Sequence, residues 1–358
     1  MRPWRRDRAL PPPGDPATME EVRRRTGESA AAAPGAAAEP DGALPPGAHR
    51  HGDELHLEAH AHPHGGPPAD GRPVIGIIGA GAVGTALGVA LHRAGWQVGA
   101  VASRDPARRE RFRSLVPGSR AFPEAAAILD ECHLAIVAVP DDAIGPLAAT
   151  LRLYSGQAIV HTSGLHGADV LAPALAAGTS GGSFHPLVAF ADLDRALAAL
   201  PGATVAIEGD EGLIDLLAEM ATSIGATPVR LAPGSKAAYH AAAVLAAGGL
   251  TALLDVVAAV AAPTGLDEPG ALAVYGPLAA QALANARALG TGPALTGPAV
   301  RGDAGTVAAH VPAVAAAGDE ALAVFRALGL RQVTLAEARR GLAPEAAARL
   351  RAAFTRLA

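Results

Sequence analysis

Apolar and polar positions change their period twice between residues 73 and 102. "RPVIGII" carries a short continuous apolar run, Val74 to Ile78, which "GAGAVG" interrupts; apolar residues then return at helical spacing as far as Ala94-Gly95, and a second run follows at Val98 to Ala102. Strand, helix and strand are the predicted elements. The alternation continues downstream. "HLAIVAVPDDAI" predicts a strand ending at Val139-Pro140-Asp141, "QAIVHTSGLHG" one ending at His161-Thr162-Ser163-Gly164, and "SGGSFHPLVAFAD", "ATVAIEG" and "ATPVRLAPG" three more. Strands alternating with helices predict an α/β fold with a doubly wound parallel sheet. After Gly234 no strand pattern recurs, so an all-helical region is expected to follow the sheet.

Composition bounds the rest. Of the 30 prolines, 12 fall in the first 72 residues, which show no sustained apolar period. Such a segment cannot bury enough surface to offset the entropy of ordering it. The expected organisation is a disordered leader (1–72), a dinucleotide-binding sheet domain (73–233) and a helical substrate and dimerisation domain (234–358). The leader holds His49, His51, His56, His60, His62 and His64, but no cysteine or spaced carboxylate framework accompanies them, and the cluster reads as a solvated tail rather than a metal site.

The basic start "MRPWRRDRAL" is not followed by a signal-type apolar run, and no stretch of about 20 apolar residues lacks glycine and proline. A cytoplasmic protein without a membrane segment is expected. A single cysteine, Cys132, excludes an internal disulfide, and a net charge of −5 without a basic, aromatic-interleaved patch argues against nucleic acid. A small-molecule ligand remains.

The chemistry begins at "GAGAVG". Between a strand and a helix, Gly79 permits a tight turn, Gly81 lets a pyrophosphate approach bare backbone, and Gly84 allows helix to pack closely on strand. Ala82 and Val83 open the helix whose N-terminus would meet the phosphates. After the second strand a ribose-binding acid is usual, yet this chain reads "ASRDPARRERF". Ser103 and Arg104 occupy that position, with Arg108 one turn on, which favours the 2'-phosphate of NADP(H) over NAD(H), although Asp105 one position later could serve the latter. Arg109 and Arg111 read as a solvated helix face. Val139, Pro140 and Asp141, at the carboxyl end of a strand, should line the nicotinamide half of the cleft.

In "GSKAAYHAAAVLAAGGLTALLD", Lys236, His240, Thr251 and Asp255 fall at about 0°, 40°, 60° and 100° around one helix. The pattern predicts a buried helix with one polar seam. Hydride reduction of a ketone or imine needs a group that stabilises or protonates the developing charge, and Lys236 and His240 are the candidates, with Ser163 positioning substrate. His185, in a His-Pro turn, and the patch at Thr296, Arg301 and Asp303 are candidate substrate-binding residues. Arg301 would clamp a carboxylate; the alternative is a local Arg301–Asp303 pair with Asp303 as a helix N-cap.

"GAGAVG", "VPDDAI", "HTSGLHGADVL", "GSFHPLVAFAD", "KAAYHAAAVLAA" and "LTGPAVRGDAGTVAAH", in this order, resemble a bacterial family that joins a Rossmann-like domain to a helical domain of unknown function. In layout it is similar to ketopantoate reductases, pyrroline-5-carboxylate reductases and the 6-phosphogluconate dehydrogenase superfamily. The resemblance implies an NADPH-dependent reductase of a small 2-oxo acid, 2-dehydropantoate being the substrate it suggests, acting as a homodimer. It maps the lysine of ketopantoate reductases onto Lys236 and the following position onto His240; where relatives carry an asparagine, this chain has Gly248. Two alternatives are an imine reductase of the pyrroline-5-carboxylate reductase type and a dinucleotide-binding sensor without turnover.

Overall fold

The computed structural model describes residues 71–232 and 234–356, together with the backbone of 49–51 and 54–56. The leader expected to be disordered lies outside the described residues, except for Gly71, Arg72 and a two-stranded antiparallel ladder, β1 (His49–His51) and β2 (Glu54–His56). His60, His62 and His64 also lie outside them.

The sheet domain starts where the apolar pattern does. Strand β3 (Ile75–Ile78) is buried along its whole length and leads through the glycine turn into α1 (Ala82–Arg93). Then come β4 (Val98–Ala102), α2 (Pro106–Leu115), β5 (Arg120–Phe122), β6 (Leu134–Val137), α3 (Asp141–Ala148) and β7 (Ala158–His161). The chain continues through β8 (Ser180–Pro186), α4 (Leu193–Ala199), β9 (Thr204–Glu208), α5 (Glu211–Ser223) and β10 (Thr227–Arg230). One eight-stranded sheet results, in the order β10-β9-β8-β7-β6-β3-β4-β5. Fully buried strands of this kind read as continuous apolar runs because helices cover both faces. Leu87, Leu91, Leu213 and Leu217 pack on one face and Ile128, Ile144, Leu151 and Leu171 on the other.

Two features depart from the sequence reading. The sheet is not wholly parallel: β9 pairs antiparallel with β8, and β10 runs parallel to β9. The short edge strand β5 was not expected, since its three residues carry no period of their own; it pairs with β4 through long-range backbone bonds.

The chain order reverses beside β3, whose neighbours are β4 and β6. Open α/β sheets bind ligands in the crevice at such a switch point, outside the carboxyl ends of the strands.

Beyond β10 the chain is helical: α6 (Lys236–Ala246), α7 (Gly248–Ala261), α8 (Glu268–Leu289), α9 (Thr291–Ala294), α10 (Pro298–Arg301), α11 (Ala304–Ala315), α12 (Asp319–Arg340) and α13 (Pro344–Thr355). Val307, Val333, Leu350 and Phe354 form the core of its C-terminal half. The expected single buried helix from Lys236 to Asp255 is overturned. Ala247 (φ −103°, ψ −73°) distorts it ahead of Gly248-Gly249, while the bonds from Ala247 N to Ala243 O and from Thr251 N to Ala247 O carry the helix across, so it is its burial that the structure overturns. Its apolar faces are bare, with Val244 53% and Leu245 74% exposed. The stretch Lys236–Thr264 has a mean hydropathy of 2.1 and, by length and composition alone, could cross a membrane.

Candidate functional site

Three glycines shape the turn after β3, each for a different reason. Gly79 has φ +107°, and a β-carbon there would lie 2.3 Å from the Ala138 carbonyl oxygen. At Gly84 a β-carbon would lie 2.0 Å from the Gly79 oxygen, so helix α1 could not sit so close to its strand. At Gly81 it would meet no atom within 4 Å; the backbone here is open to an incoming group. No side chain caps α1, whose first residues are Ala82 and Val83. Its first-turn amides and the positive end of its dipole therefore suit an anion.

A cleft of about 320 Å³ opens at this turn, lined by Gly81, Ala82, Thr85, Arg108, Arg111 and Phe190 among others. Asp105, the acid that could have held a ribose hydroxyl, caps α2 instead: its carboxylate accepts from the amides of Ala107 (2.9 Å) and Arg108 (3.3 Å) and pairs with Arg108 Nε (3.3 Å). Ser103 Oγ accepts from the Asp105 amide at 3.3 Å. Arg104 stands exposed beside it. The two arginines read as a solvated face differ from that reading. Arg109 bonds the carbonyls of Ser103 and Arg104, holding their loop, and Arg111 joins Arg108 on the cleft wall. These residues fit a dinucleotide with an additional phosphate: bare backbone for the pyrophosphate, and cations with no free carboxylate at the ribose position.

On the other side of the switch point, β6 ends at Val137 and Val139-Pro140-Asp141 enters α3. Next to it lie β7 and β8, and there the remaining chemistry gathers. The register pairs His161 with Ser183 and Ser183 with Glu208, a row across three strands. Lys236, the first residue of α6, reaches into this row and is only 4% exposed. Its Nζ donates to Ser163 O and Ser183 Oγ, both at 2.9 Å, and lies 3.5 Å from Glu208 Oε2. Ser183 Oγ in turn donates to Glu208 at 3.0 Å. Burial lowers the Lys236 pKa, and the Glu208 carboxylate opposes that shift. Two hydrogen bonds and one ion pair hold the buried Lys236 ammonium, which charges the site. Ser163 turns inward, its Oγ accepting from the amides of Leu165 and His166 at 3.1 Å.

Above the lysine are His185, Tyr239 and His240. His185 Nδ1 is 3.1 Å from the Tyr239 hydroxyl, and its ring meets that of His240 edge-on with centroids 5.9 Å apart. Both imidazoles converge on Gly164, where a β-carbon would lie 2.4 Å from His240 Nδ1 and 2.8 Å from His185 Nε2. His240 Nδ1 is buried and has no hydrogen-bond partner in the structure. Burial, with Lys236 and His240 adding to it, pushes the His185 pKa down to about 4, so this imidazole is neutral near pH 7. Burial raises that of Tyr239.

Of Thr296, Arg301 and Asp303, the last has a structural role of its own. Asp303 caps α11, accepting from the Thr306 amide (3.0 Å) and hydroxyl (2.7 Å), and Gly302 beside it packs toward Ala346 of α13. No described contact joins this patch to the Lys236 cluster. Sequence reasoning missed Ser183, Glu208 and Tyr239. Tyr239 adjoins His240 in a segment already singled out, and Ser183 shares the two-residue period of His185, but Glu208 arrives through strand pairing alone.

Fold and site together define a dinucleotide-binding α/β protein with a helical C-terminal domain. Residues 64–186 match the Rossmann-like domain family, and residues 203–332 match the Domain of unknown function (DUF2520). The solved structures it is similar to include a candidate NADP oxidoreductase from Bacteroides fragilis (22% identity, 74% of this chain and 98% of that one, TM-score 0.61). A protein from Thermotoga maritima is similar at 24% identity, over 75% and 100% of the two chains, with a TM-score of 0.57. For 1-pyrroline-5-carboxylate reductase from Streptococcus pyogenes the values are 15%, 78% and 99%, and 0.54. No curated protein matches the chain.

Proposed function

We propose that the protein is an NADP(H)-dependent oxidoreductase that reduces a small 2-oxo acid. The observation that carries this reading is the convergence of His185 and His240 on Gly164, two strands along from the glycine turn and backed by the Lys236 ammonium. NADPH bound across the switch point would supply a hydride. A carbonyl that accepts hydride becomes an alkoxide, which a hydrogen-bond donor and a nearby positive charge stabilise as it forms. His185, neutral, would present Nε2–H to that oxygen if Nδ1 accepts from the Tyr239 hydroxyl; a neutral imidazole can polarise a carbonyl in this way. His240 supplies the second ring nitrogen, and Lys236 the field behind both. The fold likeness to 1-pyrroline-5-carboxylate reductase supports a second reading, reduction of a cyclic imine.

NADPH consumption, followed by absorbance, tests this with 2-dehydropantoate and other small 2-oxo acids in parallel with cyclic imine carboxylates. Turnover of the oxo acids that falls about 10²- to 10⁴-fold in His185→Ala is expected. Turnover of imines alone would select the second reading, and NADPH binding without turnover would mark a dinucleotide sensor.

The working form in this proposal is a homodimer. Val244, Leu245, Val274, Leu278, Leu283 and Leu289 are each more than half exposed on α6 and α8. Val274, Leu278 and Leu289 fall within about 60° of one another around α8, an apolar stripe that a partner could cover. A second copy suits this face better than lipid, since the apolar stretch begins at buried Lys236 and carries Asp255. Sedimentation should give a dimer that Leu245→Glu with Leu278→Glu dissociates; a monomeric wild type refutes it. The reading assumes a cytoplasmic setting, which a chain with the single cysteine Cys132 fits.

A further inference from the structure

His161 closes β7 without entering the chemistry above. It is fully buried, and both its ring nitrogens are engaged: the Ser163 amide donates to Nδ1 at 3.1 Å, and Nε2 lies 3.0 Å from the Gly167 carbonyl oxygen. Because an amide can only donate, Nδ1 must be the bare nitrogen and Nε2 must carry the proton, which it gives to Gly167. One imidazole thus spans the two ends of the Ser163–Gly167 turn.

The site is built on that turn. Its first residue offers Lys236 a carbonyl acceptor, and its second, Gly164, is the surface on which His185 and His240 converge. Ser163 Oγ also organises the turn internally through Leu165 and His166. If residues 163–167 moved by an ångström, Lys236 would lose an acceptor and the two imidazoles their common floor.

We propose that His161 is a positioning residue whose neutral, Nε2-protonated imidazole clamps the Ser163–Gly167 turn, and that protonation at Nδ1 releases the clamp and disassembles the site. A proton on Nδ1 would face the Ser163 N–H with no acceptor between them, and the bond that orders the turn would be replaced by a donor–donor contact. The charged and titratable groups that act on His161 are Lys236 from α6, His166 from the turn itself and Asp141 from the start of α3. Burial is the largest influence and Lys236 and His166 also disfavour the imidazolium, while the hydrogen bond to the Gly167 carbonyl and, less, Asp141 oppose them; the outcome is a pKa down to about 4. Glu208 lies one strand beyond Ser183 and faces Lys236. The clamp is therefore closed across the neutral range and opens only in acid.

The importance of the clamp for turnover rests on the function proposed above; its existence does not. The first test uses the whole chain without substrate. Ring ¹⁵N shifts of His161 should show an Nε2–H tautomer from pH 8 to 5, and an Nδ1–H tautomer or an imidazolium at pH 6 would overturn the proposal. Hydrogen exchange then compares the Ser163 amide with that of Val160 in the same strand. His161→Leu should lower Ser163 protection at least tenfold while Val160 is unchanged, and His161→Asn, whose Oδ1 can still accept from the amide, should restore it. Ser163 protection that survives His161→Leu refutes the clamp. If His161→Leu does not fold, the wild type near pH 4 decides instead: loss of Ser163 protection ahead of Val160 supports the clamp, and parallel loss of both refutes it. Where oxo-acid turnover is measured, His161→Leu should lower kcat at least tenfold with little change in KM for NADPH. A clamp lost without any change in turnover overturns the active-site reading and not the clamp.

Discussion

One methyl group, placed in turn on Gly84 and Gly81, separates the architectural role of the glycine turn from its role in binding. Gly84→Ala would put a β-carbon 2.0 Å from a backbone oxygen, against an ordinary contact of about 3.5 Å. Neither partner is a side chain that can swing aside, so α1 must lift from β3, at the upper end of the range for overpacking, about 3 kcal/mol. Gly81→Ala meets nothing within 4 Å and has φ −80°, which alanine adopts freely. Losing a glycine N-cap costs a few tenths to about 1 kcal/mol, and the smaller entropy of the unfolded chain offsets a similar amount. Its stability should therefore stay within about 1 kcal/mol of wild type. The new methyl would stand where a pyrophosphate must approach the backbone. Losing one charge-assisted hydrogen bond, worth about 1.5–3 kcal/mol, should weaken NADPH about 10- to 150-fold. Urea unfolding measures the first quantity and a fluorescence titration of NADPH the second. The reasoning fails if Gly81→Ala binds NADPH with the wild-type Kd, or loses as much stability as Gly84→Ala.

Three further outcomes follow from the same geometry. Arg108→Ala and Arg111→Ala should each weaken NADPH about tenfold, the loss of a charged hydrogen bond, and leave NADH nearly unchanged; equal losses for both coenzymes would remove the arginines from the 2'-phosphate. Lys236→Met should destabilise the fold by about 3 kcal/mol, because it strands Glu208, Ser183 Oγ and Ser163 O without their cation, and a midpoint unchanged in urea would contradict the buried network. Acid should destabilise the protein from about pH 6.5 downward. His161 and His185 sit at about 4 in the folded state against 6.5 when free, so the unfolded chain binds protons first. Their contribution is complete above about pH 6.5 and drains as pH falls toward 4. At pH 5 the loss amounts to about 2 kcal/mol for each residue. Asp210, whose carboxyl is held low by its hydrogen bonds from Ser180 and Leu213, loses its contribution only at lower pH, so an unchanged stability between pH 7 and 5 would refute the assignment.

Local chemistry made much of this protein legible before its fold. Apolar runs placed β3, β4, β6, β7 and β9, because strands covered on both faces need continuous apolar residues whatever their neighbours; β8 and the exposed edge strand β10 were placed from weaker segments. The three glycine roles follow from the turn itself. Arg108 and the absence of a ribose-binding acid likewise point to the coenzyme from within one segment, although only the structure shows that Asp105 is occupied as a helix cap and that Arg111 faces the cleft. Pairing between distant segments left no such trace. The antiparallel turn of β9, which brings Glu208 to Ser183, depends on how residues some 25 positions apart meet. The inward aim of Lys236, 53 residues from Ser183 and 73 from Ser163, depends on where α6 leaves the sheet. Apolar spacing said that α6 and α7 have greasy faces, but not whether those faces would be covered within one chain. Periodicity reports which side of an element avoids water; what meets that side is decided by contacts that no local stretch of residues encodes.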